Sequence, residues 1–354
     1  MKKKELTQNA IELLKNLIET PSFSSEEDRT AALIEKWFAE YKIPCVRTKN
    51  NVWAINLYFN ESKPTLLLNS HHDTVKPNNG YTKDPFEAIE EDGKLYGLGS
   101  NDAGGSLVSL IAAFTHFYKR KNLDYNLVLV ASAEEESSGQ DGLNSMLEFI
   151  PKIDVAIVGE PTLMNLAIAE KGLVVFDARV SGTPGHAAHE NNDNAIYKVI
   201  DVLKWFRDYK FEKKSPVLGD VKMTVTQIHA GKQHNAVPAE VELVIDVRVN
   251  DRYTNKEIAK ILKEKSPCTN IEPRSLRLNS SSIPISHPLV EAGVELGRKT
   301  YGSPTLSDQA VLTCPSLKLG PGDSTRSHTA DEFIYLAEIE EGIDIYIKLL
   351  EKIL

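Results

Sequence analysis

Hydrophobic residues along the chain follow two periods, and the two alternate. Ile11, Leu13, Leu14, Leu17 and Ile18, broken by Glu12, Lys15 and Asn16, keep the 3.6-residue spacing of an amphipathic helix. The spacing predicts a helix over 7–19 that stops before Pro21. Ser25, followed by Glu26, Glu27 and Asp28, predicts a second helix capped by the serine and running to about Tyr41, its acids near the positive N-terminal end. Short apolar runs at 52–58, Thr65 to Asn69, Leu127 to Ala131 and Val155 to Gly159 read as strands, with a helix between the last two. A small-residue turn around Asp102-Ala103-Gly104-Gly105 opens a helix to about Tyr118. Apolar strands alternating with helices predict an α/β fold whose sheet is mostly parallel and covered on both faces.

Near Gly172 the pattern changes. Val174, Phe176, Ala178 and Val180 alternate with partners that include Asp177 and Arg179, which marks a half-exposed strand. A helix at about 193–209 follows, then strands at 221–230 and 239–249, a helix at 254–264 and a strand near 271–278. The order βαββαβ is that of a ferredoxin-like α+β domain. The α/β pattern then resumes and ends in a helix from about Ala337. The expected domains are therefore 1–171 and 280–354 together, with 172–279 inserted between them.

Composition narrows the class. At 354 residues, 41% hydrophobic and 26% charged, the chain is long enough for a full core and is neither disordered nor fibrous. A net charge of −9 argues against a partner held by a positive field, and no basic patch with interleaved aromatics points to nucleic acid. Cys45, Cys268 and Cys314 are odd in number and far apart, so a reducing, cytoplasmic setting is expected. No apolar run follows the basic start Met1-Lys2-Lys3-Lys4, and none approaches bilayer length, so neither a signal segment nor a membrane partner is expected.

The candidate chemistry sits where strands end, the place where open α/β sheets bind ligands. Leu66-Leu67-Leu68-Asn69 runs into Ser70-His71-His72-Asp73-Thr74; in an extended segment His71 and Asp73 share a side, so His71 can ligate a metal while Asp73 orients a neighbour. Gly97-Leu98-Gly99-Ser100-Asn101-Asp102 places Asp102 at the start of a helix, as a ligand or as a plain N-cap. Glu134-Glu135-Glu136 follows the strand 127–131, where three adjacent carboxylates need a cation to offset their repulsion. Val158-Gly159-Glu160 ends another strand, and Gly320-Pro321-Gly322-Asp323 leads downstream to His328. Histidines mixed with carboxylates suit two divalent ions, zinc foremost.

These five segments, in this order, resemble the co-catalytic zinc hydrolases that include acetylornithine deacetylase, succinyl-diaminopimelate desuccinylase, aminoacylase and carboxypeptidase G. The resemblance covers nearly the whole chain and implies a zinc-peptidase-like catalytic domain, with the inserted domain as lid and dimerisation module. It implies that Asp102 bridges two zinc (or cobalt) ions, that His71 and Glu160 complete one site, and that Glu136 and His328 complete the other. Glu135 is then the general base that takes a proton from the attacking water and passes it to the leaving amine, with Asp73 orienting the group beside it. In the family a glycine lies six residues after the ligand glutamate, and Gly142 stands six after Glu136. A register one residue earlier, Glu134 as base and Glu135 as ligand, is the alternative.

In the inserted domain, Gly182-Thr183-Pro184-Gly185-His186 resembles the family's segment whose histidine reaches across a dimer to polarise the scissile carbonyl. Gln233-His234-Asn235-Ala236-Val237-Pro238 and Asp246-Val247-Arg248 resemble its substrate-binding segments, which implies substrate contacts for Asn235 and Arg248. The implied enzyme is a homodimeric amidohydrolase acting on a small N-acylated amino acid, N-acetyl- or N-succinyl-L-ornithine in arginine biosynthesis. A dipeptidase or aminopeptidase, or an N-acyl-lysine or succinyl-diaminopimelate deacylase, is the alternative of the same fold.

Overall fold

In the computed structural model, which describes residues 3–354, the apolar runs form the parallel centre of a sheet. Strands Asn126–Ser132, Thr65–His71, Val155–Val158 and Ser316–Lys318 lie side by side in that order, all parallel. Asn51–Ile55 adds antiparallel to the first of them, and Leu166–Glu170 adds antiparallel to the last through Ala167, so the sheet is mixed.

Successive side chains of a strand point to opposite faces. Leu66, Leu68, Leu127, Leu129 and Ile157 accordingly pack into one core with the helices Lys3–Ile18, Asp28–Glu40, Gly105–Phe117 and Leu336–Ile353. Leu67, Val128, Val130 and Ala156 pack into another with Leu143, Met146 and Ile150. Burial on both faces is what makes these strands apolar at nearly every position, and each fully buried leucine contributes about 1.5–3 kcal/mol.

Two local expectations change. The second helix begins at Asp28 with Glu27 at its N-cap; Ser25 is not the cap, because it turns left-handed (φ 73°) and its N–H donates to Glu27 Oε1 at 2.6 Å. The helix after the glycine turn begins at Gly105, so Asp102 is not an N-cap either: Asp102 (φ −117°, ψ 97°) and Ala103 (φ −118°, ψ 31°) are non-helical. A small sheet of Ile89–Glu91, Lys94–Tyr96 and Phe333–Tyr335 also forms, from strands too short to show a period.

The chain separates into two compact units: the residues up to Ile168 with Ser282–Tyr301 and Ser307–Leu354, and Ala169–Ser281 with Gly302–Leu306. The second contains Gly172–Ser181, helix Ala195–Asp208, Lys222–Ala230, Glu240–Val249, helix Asn255–Lys265 and Asn270–Pro273, in the order βαββαβ. Its sheet order is Lys222–Ala230, Glu240–Val249, Gly172–Ser181, Asn270–Pro273, antiparallel throughout. Val174, Phe176, Ala178 and Val180 face Val199, Val202, Phe206, Ile258 and Leu262 in a separate core. Residues 302–306, expected with the C-terminal part of the catalytic domain, belong to this unit: Lys171 N–H donates to Ser303 O at 3.3 Å, and Gly302 packs against the Val217 backbone. Among the described residues no helix is long and apolar enough to cross a membrane.

Candidate metal centre

The C-terminal ends of the parallel strands bring three of the quoted segments together. His71 is the last residue of its strand and is buried. Its Nδ1 lies 3.0 Å from the Asp73 carbonyl and 3.3 Å from Asp73 Oδ1, so in the neutral ring, the form that ligates a metal, this edge carries the proton and Nε2 the lone pair. That nitrogen faces Asp102 Oδ1 at 3.4 Å, Glu160 Oε1 at 3.8 Å and Glu135 Oε2 at 4.0 Å, and it has no hydrogen-bond partner.

Asp73 does more than hold the imidazole. Its Oδ1 accepts the backbone N–H of Glu135 and its Oδ2 that of Glu136, both at 3.1 Å, while the Ser24 hydroxyl donates to Oδ2 at 2.7 Å. The glutamate triplet is thereby turned so that its members diverge. Glu134, left-handed at φ 55°, directs its carboxylate to the Ser25 hydroxyl (2.8 Å) and the Asp141 N–H (3.1 Å). Glu135 and Glu136 face the cluster, with Glu136 Oε2 at 3.0 Å from Nε2 of His328. The same imidazole nitrogen lies 3.6 Å from Asp102 Oδ2, so Asp102 stands between His71 and His328 with one oxygen toward each.

Two sets of ligand atoms are mutually within 4.8 Å: those of His71, Asp102 and Glu136, and those of His71, Glu135 and Glu160. So many carboxylates in one buried place perturb one another. Burial, with the charge of Asp102 second, pushes Glu160 up to about 8. Burial raises Glu135 well above the usual carboxylate range, and Glu160 and Asp308 add to the effect. The hydrogen bond to Glu136 lifts His328 to about 9. Burial opposes charge on His71, yet the carboxylates of Asp102 and Asp73 raise its pKa well above the ordinary value. The acids around Nε2 of His71 favour a positive charge there, a proton or a metal ion, and a metal ion would also relieve the repulsion that raises Glu135 and Glu160. The imidazole and carboxylate donors fit a divalent one.

Buried acids outside the predicted ligand set support the centre. Glu332 accepts the backbone N–H groups of Gly99, Asn101 and Asp102. Asp308 takes the Ser132 hydroxyl at 2.5 Å, and burial pushes it up to about 6. Glu27 accepts from Asn50 and from the N–H groups of Ser25 and Glu134. Glu332 lay in view four residues after His328, Glu27 read only as one of the acids at a helix start, and Asp308 sits in a stretch with no distinguishing pattern.

The remaining candidates lie in the second unit. Gly185–His186 pairs antiparallel with Ala236–Val237, and the Ala187 N–H donates to Asn235 O at 3.0 Å, which sets His186 and Asn235 in one exposed two-stranded ladder. His186 Nδ1 accepts the Ala188 N–H at 3.1 Å, leaving the proton of the neutral ring on Nε2. Arg248 makes a two-pronged ion pair with Asp246, two residues away on the same strand face, at 2.9 and 3.1 Å.

A histidine–carboxylate centre at the strand ends of an α/β sheet is the constellation of a metal-dependent hydrolase. The chain belongs to peptidase family M20/M25/M40, a family of metal-dependent hydrolases, whose model matches residues 67–352. It is similar to acetylornithine deacetylase of Proteus mirabilis, 30% identical over 96% of both chains. It is also similar to succinyl-diaminopimelate desuccinylase of Rickettsia felis, 26% identical over 97% of this chain and all of the relative. Among solved structures, a dinuclear metal-binding M20 peptidase of Bacillus subtilis shares the fold with a TM-score of 0.76, at 14% identity and 98% coverage of each chain.

Proposed function

We propose that the protein is a two-zinc amidohydrolase that removes the acyl group from an N-acyl amino acid, N-acetyl-L-ornithine or N-succinyl-L-ornithine, releasing L-ornithine for arginine biosynthesis. The observation that carries the chemistry is the unpartnered Nε2 of His71 facing Asp102, Glu135 and Glu160. What supports the substrate is the full-length similarity to the Proteus deacetylase.

In this reading Asp102 would serve both ions, with His71 and Glu160 as the residues that would hold one and Glu136 and His328 as those that would hold the other. The ions would supply Lewis acidity toward the acyl oxygen and lower the pKa of water at the centre. Glu135 holds and moves the proton: its carboxylate, beside the candidate ligands, takes it from the attacking water and returns it to the amine that leaves. Asp73 orients His71 and the Glu135–Glu136 backbone. The βαββαβ unit acts as lid and dimerisation module, and Nε2–H of His186 donates to the oxyanion in a second copy of the chain. Asn235 and Arg248 bind polar groups of the substrate. A cytoplasmic setting is part of the proposal, supported by the odd number and wide spacing of the three cysteines.

The test is a substrate panel with the zinc-loaded protein: N-acetylornithine, N-succinylornithine, N-acyl-lysine, succinyl-diaminopimelate and dipeptides. The expected result is the highest kcat/KM on an N-acylornithine. Preference for succinyl-diaminopimelate or N-acyl-lysine would move the enzyme to a neighbouring deacylase, and cleavage of dipeptides alone would make it a peptidase.

A further inference from the structure

We propose that Glu332 is the positioning residue of the centre: its carboxylate gathers the backbone of the Gly99–Asp102 turn and so sets the Asp102 side chain between His71 and His328. The inference rests on the reading of Asp102 as a shared ligand.

Glu332 is buried, and its Oε1 accepts the N–H groups of Asn101 at 2.8 Å and Asp102 at 2.9 Å, while Oε2 accepts that of Gly99 at 3.1 Å. The turn's other hydrogen bonds, Ser100 N–H to Gly97 O at 3.1 Å, Gly104 N–H to Gly99 O at 2.9 Å and Asp323 N–H to Asn101 Oδ1 at 3.1 Å, do not engage the Asp102 N–H. The non-helical backbone of Asp102 leaves it outside the helix that begins at Gly105. Buried N–H groups must be paired, and three that converge on one point require an acceptor with lone pairs on two atoms. A carboxylate meets that demand. The isosteric amide of glutamine does not: its oxygen can serve Asn101 and Asp102, but its NH2 then faces the Gly99 N–H, donor against donor.

The same short segment holds the other side of the centre. Glu332 stands four residues after His328, and its carbonyl accepts the Gly97 N–H at 3.0 Å. Ile334, on the same strand side as Glu332, fits against Gly105, where an added Cβ would meet its Cδ1 at 2.3 Å. On the opposite side, the Phe333 ring lies under Lys94 (4.3 Å) and Arg326 (4.8 Å), and Arg326 forks to Glu338 at 2.7 and 3.0 Å. Asp331 accepts the N–H groups of Thr82 and Lys83, and the Asn101 amide donates to Asp323 O at 3.1 Å. The stretches bearing Asp102 and His328 are thus one clamp, and Glu332 is the joint between them. Asp102 has one oxygen at 3.4 Å from His71 and the other at 3.6 Å from His328, so a shift of its backbone loosens both contacts together.

The experiment titrates zinc into the chelator-treated full-length chain by calorimetry, for wild type, Glu332→Gln, Glu332→Asp and Asp102→Asn, alongside amide hydrogen exchange. Glu332→Gln should bind zinc about tenfold or more weakly, as for loss of a group that orients a ligand. Exchange protection of residues 99–102 should fall about tenfold while that of strand Thr65–His71 holds. On an active substrate, kcat should fall with KM unchanged within about twofold. Wild-type zinc affinity together with unchanged protection would overturn the inference. Should Glu332→Gln fail to fold, Glu332→Asp, which keeps the charge but is one methylene short of the turn, is read for the same quantities and the same outcomes. Asp102→Asn separates the two levels. Undiminished zinc binding there would sink the ligand reading itself, whereas weakened binding there with an unaffected Glu332→Gln would sink only the positioning role.

Discussion

Asp73 Oδ1 stands 3.3 Å from Nδ1 of His71, with both side chains almost fully buried. The contact fixes which imidazole nitrogen faces the acidic cluster, and the same carboxylate accepts the N–H groups of Glu135 and Glu136. One residue therefore orients a candidate ligand and the candidate base together. Asp73→Asn places an NH2 group against one of those N–H donors and should lower zinc affinity about 10–100-fold. A calorimetric titration that matches wild type would refute this role.

Glu135→Ala should lower kcat by about 10²–10⁴-fold, the usual contribution of a general base, with two zinc ions still bound. Glu134→Ala should leave kcat within about tenfold of wild type, because its carboxylate is engaged with Ser25 and Asp141. Steady-state rates and zinc stoichiometry decide the register. A dead Glu134→Ala beside an active Glu135→Ala would shift it by one.

His186→Ala should lower kcat roughly a hundredfold, as for loss of an oxyanion donor, with zinc stoichiometry unchanged. A rate equal to wild type would remove His186 from the site.

His72 is buried between Thr30 and Asn50, and burial depresses its pKa from 6.5 to about 4. The unfolded chain takes up this proton first as pH falls, so the neutral ring's contribution to stability is intact above pH 6.5 and is lost between 6.5 and about 4. The loss is on the order of 3 kcal/mol. Denaturant melts of wild type and His72→Ala from pH 7 to pH 4 measure it: the gap between them should narrow as pH falls. A gap independent of pH contradicts the assignment.

Gly142 precedes the short helix Leu143–Met146, and a Cβ there would lie 2.4 Å from the Ala133 carbonyl oxygen, immediately before the glutamate triplet. The obstacle is backbone and cannot rotate away. Gly142→Ala should destabilise the protein by about 1–3 kcal/mol and lower kcat as the triplet shifts. A melting temperature and rate equal to wild type would show that the turn yields.

Much of the architecture was legible because burial leaves a local trace. Leu66-Leu67-Leu68 is apolar at every position because alternate leucines enter different cores, and Val174, Phe176, Ala178 and Val180 alternate because that sheet has one buried face. The caps were less legible. Ser25 and Asp102 are good N-cap residue types, yet Ser25 gives its N–H to Glu27 and its hydroxyl to the distant Glu134, and Asp102 gives its N–H to the distant Glu332. Three-residue strands such as Phe333–Tyr335 are too short for any period, and Asp308 is one ordinary acid until the fold buries it beside Ser132.

The chain by itself determined the order of helices and strands and delivered histidines and acids to the ends of apolar strands, because both follow from residue type and spacing. Tertiary structure alone decided which of three adjacent glutamates turns away, which nitrogen of His71 is left without a partner, and that Asp102 stands between His71 and His328. The reason is physical. Periodicity records whether a side chain is buried, whereas a site depends on distances between residues up to 257 positions apart (328 − 71), and those are set by strand register and by buried hydrogen bonds across the fold.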